Sequence, residues 1–101
     1  MSTYTFDAEL WLWDARKSDT WTFVTLPTEV SSAVEDEATA RGPRRGFGSV
    51  RVHVRIGGTL WQTSVFPDRN SGSYVMPVKK AVRVAEGIDA GDEVTIELRV
   101  D

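Results

Sequence analysis

The sequence predicts a mainly β domain with minor α content. The expected architecture is a closed or nearly closed six-stranded barrel of two pseudo-repeated ββαβ units, with two short helices. Two observations carry this. Several stretches alternate apolar and polar residues with period two, the mark of strands with one buried face. The prolines that end two of those strands lie fifty residues apart, at Leu26-Pro27 and Met76-Pro77, and the same offset maps Leu10-Trp11 onto Leu60-Trp61. In both halves a helix, a loop and an alternating strand follow the proline, which points to a weak internal duplication. Neither unit alone could bury its apolar face. Residues 1–101 are therefore expected to share one core, in a barrel whose closure removes exposed sheet edges.

Taken in order, Tyr4 to Trp13 alternates, with Tyr4, Phe6, Ala8, Leu10 and Leu12 on one face and Trp11 and Trp13 on the other. Asp14 to Asp19 reads as a hairpin connection. Trp21 to Leu26 is rich in aromatic and β-branched residues, which favour strands. Thr28 to Ala40 is expected to be a helix, with Thr28 as N-cap and Val30, Val34 and Ala38 on one face. Gly42-Pro43 ends it. Val50, Val52, Val54 and Ile56 alternate with Arg51, His53 and Arg55 in the clearest strand of the chain. Gly57-Gly58 signals a two-residue hairpin in which both positions take φ > 0, and Thr59 to Phe66 is the returning strand. A loop over Pro67 to Gly72 and a short strand over Ser73 to Met76 follow. Val78 to Glu86 is expected to be a helix with Val78, Val82 and Ala85 on one face, stopped by Gly87. Val94, Ile96, Leu98 and Val100 mark the last strand. Phe6, Leu10, Val52, Val54, Leu60, Ile96 and Leu98 are the expected common core.

Composition bounds the function. The chain has 101 residues, a formal net charge of −3 and no cysteine. Disulfides, thiolate metal sites and cysteine nucleophiles are excluded. The weak acidic balance disfavours a dedicated nucleic-acid binder. The first residues lack the basic start and apolar run of a signal peptide, and no apolar run reaches membrane-spanning length. A cytoplasmic protein is the default expectation. No nucleotide-binding glycine motif, nucleophile elbow or paired histidine occurs, so no cofactor, metal or catalytic residue is expected.

Several motifs resemble the bacterial family called domain of unknown function 1905. They are Phe6-x-Ala8-x-Leu10, Trp21-x-Phe23-x-x-Leu26-Pro27, Ile56-Gly57-Gly58, Trp61-x-x-Ser64-x-x-Pro67, Gly72-x-Tyr74, Lys80-x-x-Arg83 and Gly91-Asp92-x-Val94. The resemblance spans nearly the whole chain. It implies a double-split β-barrel and no activity. A fainter likeness covers Arg83 to Val94, which is similar to the C-terminal half of swapped-hairpin antitoxin and regulator domains.

Candidate sites divide into three groups. Trp61, Ser64, Tyr74, Lys79, Lys80 and Arg83 are candidate ligand-binding residues. For Lys79, Lys80 and Arg83 the alternative is a solvated helix face, with Arg83 bonded to Asp92 to lock the turn. Arg44, Arg45, Arg51 and Arg55 are candidate anion or nucleic-acid contacts. Their alternative is cross-strand pairing of Arg51 and Arg55 with Asp7, Glu9 or Glu97. Trp11 and Trp61 either lie under the helices or line a ligand cleft. His53, the single histidine, has no carboxylate next to it in sequence. The leading expectation is a non-catalytic binding module for a small molecule, a peptide or a protein, for which a monomer suffices. Nucleic-acid binding through the arginines is the alternative. An enzyme comes third and would require Tyr74, Lys80, Arg83 and Asp92 to converge in one concave site.

Overall fold

Period-two patterning becomes sheet along most of the chain, and the register of each pairing decides which face every side chain takes. A computed structural model describes residues 2–13, 21–42 and 48–101. Among these, the elements in chain order are β1 (Thr3–Glu9), β2 (Trp11–Trp13), β3 (Trp21–Thr25), α1 (Thr28–Ala40), β4 (Val50–Ile56), β5 (Thr59–Asp68), β6 (Ser73–Pro77), α2 (Lys80–Glu86) and β7 (Glu93–Val100). All strand pairings are antiparallel, in the order β1-β7-β4-β5-β6-β3-β2. β1 and β2 stand at opposite ends of that order yet are separated in the chain by Leu10 alone. The sheet must therefore curl, and it forms a half-barrel with two helices.

Seven strands replace the expected six because the first one breaks. The Leu10 N–H donates to the Asp92 carbonyl at 2.9 Å, and the Leu10 carbonyl accepts from the Gly91 N–H at 2.8 Å. Before that point the chain pairs with β7. After it the chain pairs with β3. β5 divides its pairing in the same manner, with Val50–Ile56 along its first part and β6 along its last three residues. Pro67 lies inside β5, opposite Tyr74, rather than opening a loop.

The core follows β4. Val50, Val52, Val54 and Ile56 are buried, and Phe6, Leu10, Ile96 and Leu98 join them as expected. Leu60 does not: it is 73% exposed. The two-residue Gly57-Gly58 turn sets Ile56 opposite Thr59, so Val54 faces Trp61 and Arg55 faces Leu60. Directly opposed residues share a face. Trp61 consequently packs on the core and Leu60 points away from it. A one-residue difference in parity turns every side chain over. Leu10 is fully buried, so Leu10 and Leu60 are not equivalent and lend the duplication no support. Gly57 takes a positive φ of 58°, and Gly58 does not share that conformation.

The helices differ from expectation at their starts. Pro27, not Thr28, occupies the N-cap of α1, with no side-chain cap. Ser31, Val34 and Ala38 are buried, while Val30 is partly covered. α2 begins at Lys80, so Val78 precedes it. The Val78 N–H donates to the Thr22 carbonyl at 2.9 Å. Only Val82 of α2 is buried, and Ala85 is exposed. Gly87 ends the helix in the left-handed conformation, φ 64° and ψ 37°, where a residue without Cβ is unstrained.

Arg83 does not lock the turn through Asp92. Its Nε–H donates to the Val78 carbonyl at 3.1 Å, and its guanidinium lies 3.6 Å from the Asp89 carboxylate. Asp92 accepts instead from the Asp89 N–H at 2.9 Å, closing the turn by itself. The turn takes the Asp92 carboxylate for its own backbone and leaves the Arg83 guanidinium to the Val78 carbonyl and to Asp89.

Candidate functional site

The most distinctive surface lies on the outer face of β2, β3 and β6. In β3, Thr22 and Val24 point into the core, so Trp21, Phe23 and Thr25 point outward. Pairing with β2 sets Trp11 against Phe23 and Trp13 against Trp21. Pairing with β6 sets Thr25 against Val75. Trp11, Trp13, Trp21, Phe23, Val75 and Asp68 together line an apolar groove of about 210 Å³. Trp13 and Trp21 remain 54% and 55% exposed, and Phe66 nearby is 40% exposed.

Contacts within the array hold its rings in place. The Trp11 and Phe23 rings lie 5.3 Å apart at 28°, and the Trp21 and Phe23 rings 6.1 Å apart at 19°. The Trp11 indole N–H donates to the Thr25 hydroxyl at 2.9 Å, which fixes the ring. Near-parallel rings at such separations attract each other beyond their buried area. At the rim, Asp68 accepts from the Ser71 N–H at 3.1 Å.

A second groove, about 380 Å³, includes Thr3, His53, Leu60, Trp61, Glu97 and Arg99 in its lining. Three of its polar side chains, His53, Gln62 and Glu97, are hydrogen-bonded. Arg51 donates to the Gln62 carbonyl oxygen at 3.2 Å, which orients that amide. The amide nitrogen then donates to His53 Nδ1 at 3.3 Å, and His53 Nε2–H donates to Asp101 at 2.9 Å. Both ring nitrogens are hydrogen-bonded, which fixes the ring and its tautomer. Folding thus supplies the carboxylate that the sequence around His53 lacks. The bond from His53 holds the Asp101 carboxyl below the usual carboxylate value, with burial opposing weakly and Arg51 and Arg41 adding to the lowering. Arg41 also donates to the Asp101 carbonyl. Arg55 donates twice to Glu97, at 3.1 and 2.7 Å, as cross-strand pairing predicts.

A third cavity, about 330 Å³, opens at the start of α1 among Thr28, Ser31, Ser32, Arg69, Ser73 and Tyr74. The Ser31 hydroxyl accepts from the Tyr74 N–H at 3.1 Å. Asp68 lines both this cavity and the aromatic groove.

The ligand-binding residues expected from sequence are not gathered into any one of these grooves. Trp61 lies beside His53, Tyr74 lies at α1, and Ser64 sits opposite Arg51 in mid-sheet. Lys79 and Lys80 are exposed at the start of α2, and Arg83 is held by Val78. None of the three grooves collects Tyr74, Lys80, Arg83 and Asp92. Arg44 and Arg45 lie outside the described residues. The aromatic groove was not foreseen as a unit. Its tryptophans stand out in the alternation, but Val75 and Asp68 reach them only through non-local pairing. Among the described residues, no group of three histidine, aspartate or glutamate side chains is placed to hold a metal, and no helix is long and apolar enough to cross a membrane.

A family model described as "Domain of unknown function (DUF1905)" matches residues 6–98, nearly the whole chain. No curated protein matches the chain.

Proposed function

The chain belongs to the family of domain of unknown function 1905, and we propose that it is a non-catalytic binding module whose binding surface is the aromatic groove on β2, β3 and β6. One observation carries the reading: two tryptophans more than half exposed, beside a stacked Trp11-Phe23 pair, around a concave apolar surface. Exposed apolar surface gathered in one place marks interaction sites more often than scattered residues do. A half-exposed aromatic ring has roughly 75–125 Å² left to bury, worth about 2–3 kcal/mol per ring. Rings already ordered lose little entropy when a ligand lands on them.

The same reading takes residues 3–13 as one strand bent at Leu10, which makes the curled sheet the six-stranded double-split barrel of the resemblance. Arg51 and Arg55 are satisfied within the sheet, so a nucleic-acid reading would rest on Arg44 and Arg45.

The test is a thermal-shift and tryptophan-fluorescence screen of short peptides and small organic molecules on the wild type and on Trp13→Ala. A ligand that raises the melting temperature of the wild type and binds Trp13→Ala at least tenfold more weakly is the expected result. Ligands that bind both proteins equally would place the site elsewhere. No response from any compound would remove the proposal.

A further inference from the structure

Resting on that binding-module reading, we propose that the occupant of the aromatic groove is a small organic cation, a methylated ammonium seated between the indole faces and Asp68. The lining leads there through what it offers and what it lacks.

Three of the six lining residues are tryptophans, Trp11, Trp13 and Trp21, and Phe23 and Val75 add apolar surface. The ring quadrupole is negative over an aromatic face, indole attracts a cation best, and the attraction grows as water is displaced. Trp13 and Trp21 are more than half exposed, so their rings have surface left to cover. The sixth residue, Asp68, supplies the one charge in the lining. Its carboxylate accepts from the Ser71 N–H at 3.1 Å and joins no ion pair among the described residues. Arg69, its neighbour in the chain, lines the cavity at α1 and not this groove. Ring faces and carboxylate therefore make the groove negative together, with no cation in the lining to offset them.

Other ligand chemistries fit less well. An anion would be repelled by Asp68. A neutral apolar molecule would strip water from the carboxylate and return nothing. A sugar brings many hydroxyl donors to a lining in which Asp68 is the only side-chain acceptor. An unmethylated ammonium brings three N–H donors to that same acceptor, whereas a methylated one spreads its charge over apolar surface and needs no hydrogen bond. Size agrees, since the groove of about 210 Å³ is smaller than the roughly 300–1,000 Å³ of sites that take drug-sized ligands.

The experiment follows the indole N–H signals of the full chain by NMR as choline, ethanolamine or dimethylbutanol is added. Dimethylbutanol is the neutral isostere of choline, with carbon in place of the charged nitrogen, so it keeps the shape and drops the charge. Each is titrated into the wild type and into Asp68→Asn, which keeps an oxygen to accept from the Ser71 N–H and removes only the charge. Choline should bind the wild type at least tenfold tighter than either of the others and move the signals of the groove tryptophans. Asp68→Asn should weaken choline at least fivefold and leave dimethylbutanol unchanged. Equal binding of choline and dimethylbutanol would overturn cation selection while leaving the groove as a binding site. Ethanolamine binding as tightly as choline would overturn the preference for a methylated head. Choline binding that Asp68→Asn does not change would overturn the role of Asp68. A peptide carrying trimethylated lysine that binds at least tenfold tighter than choline would assign the cation to a protein partner instead of a small molecule. No response to choline at millimolar concentration would overturn the inference outright, and a screened ligand that still depends on Trp13 would then keep the groove as a binding site.

Discussion

Leu60 and Leu98 show how much a single side chain's face decides. Leu98 is fully buried and Leu60 is 73% exposed. Leu98→Ala should cost about 2–5 kcal/mol, the range for truncating a buried leucine. Leu60→Ala should cost less than about 0.5 kcal/mol, as for most surface changes. Urea denaturation of the two variants checks the pair, and equal costs would mean that the β4–β5 register is wrong. Thr22 gives the opposite sign. Its hydroxyl is buried with no hydrogen-bond partner among the described residues. Thr22→Val replaces it with a methyl group of similar size and should raise stability by about 1 kcal/mol, because an unsatisfied buried polar group is costly. A destabilised Thr22→Val protein would reveal a partner for that hydroxyl. Asp101 tests the polar side. Its carboxyl should titrate below the ordinary 3.8, principally because His53 donates to it. A carboxyl with a lowered folded value stabilises the fold above its unfolded value and loses that contribution as pH falls through the folded one. Carbon-detected NMR titration should show the low midpoint in the wild type and its return toward 3.8 in His53→Ala. An unchanged midpoint would break the His53–Asp101 bond.

Hairpins and helix ends carry the next level of control. Gly57 holds a left-handed φ of 58°, and a Cβ there would overlap the Glu86 carboxylate, which accepts from the Thr59 hydroxyl at 2.6 Å. Gly57→Ala should therefore cost the roughly 1–2 kcal/mol of left-handed backbone strain plus the smaller cost of turning the flexible Glu86 carboxylate aside from Thr59. Adding Glu86→Ala should recover the steric part and leave the strain. Additive losses in the double variant would show that the end of α2 does not press on the β4–β5 hairpin. The same hairpin shows what the sequence made legible. The alternation of Val50 to Ile56 announces a strand, and a two-residue Gly57-Gly58 turn determines parity. Ile56 inward requires Thr59 and Trp61 inward and Leu60 outward. The fifty-residue offset instead drew Leu60 onto Leu10 and put it in the core. The break at Leu10 had no local signal, because it arises where one run of chain must pair with β7 and then with β3. Arg83 was recognisable as an anchor near a helix end. Its partner was not, since Asp89 and Asp92 lie in one tight turn and only backbone geometry assigns each its role.

At the scale of the whole molecule, the curl of the sheet creates the aromatic groove. It carries β2 and β3 to one end of the strand order, where their outward residues meet Val75 of β6 and Asp68 of β5. The alternation of Tyr4 to Trp13 set Trp11 and Trp13 on the face opposite Leu10 and Leu12. The convergence of the groove residues was not visible there, because it depends on pairing between segments about fifty residues apart. The arginines of β4 drew attention by their number, yet the fold spends Arg51 on Gln62 and Arg55 on Glu97. The four tryptophans of the chain provide an internal control, since Trp11, Trp13 and Trp21 line the aromatic groove and Trp61 lines a different one. A ¹⁵N–¹H spectrum resolves one indole N–H signal for each. Titrating a ligand that raises the melting temperature into labelled protein should move the signals of Trp11, Trp13 and Trp21 together and leave Trp61 in place. Movement of Trp61 alone, or of all four equally, would contradict the aromatic groove as the binding site.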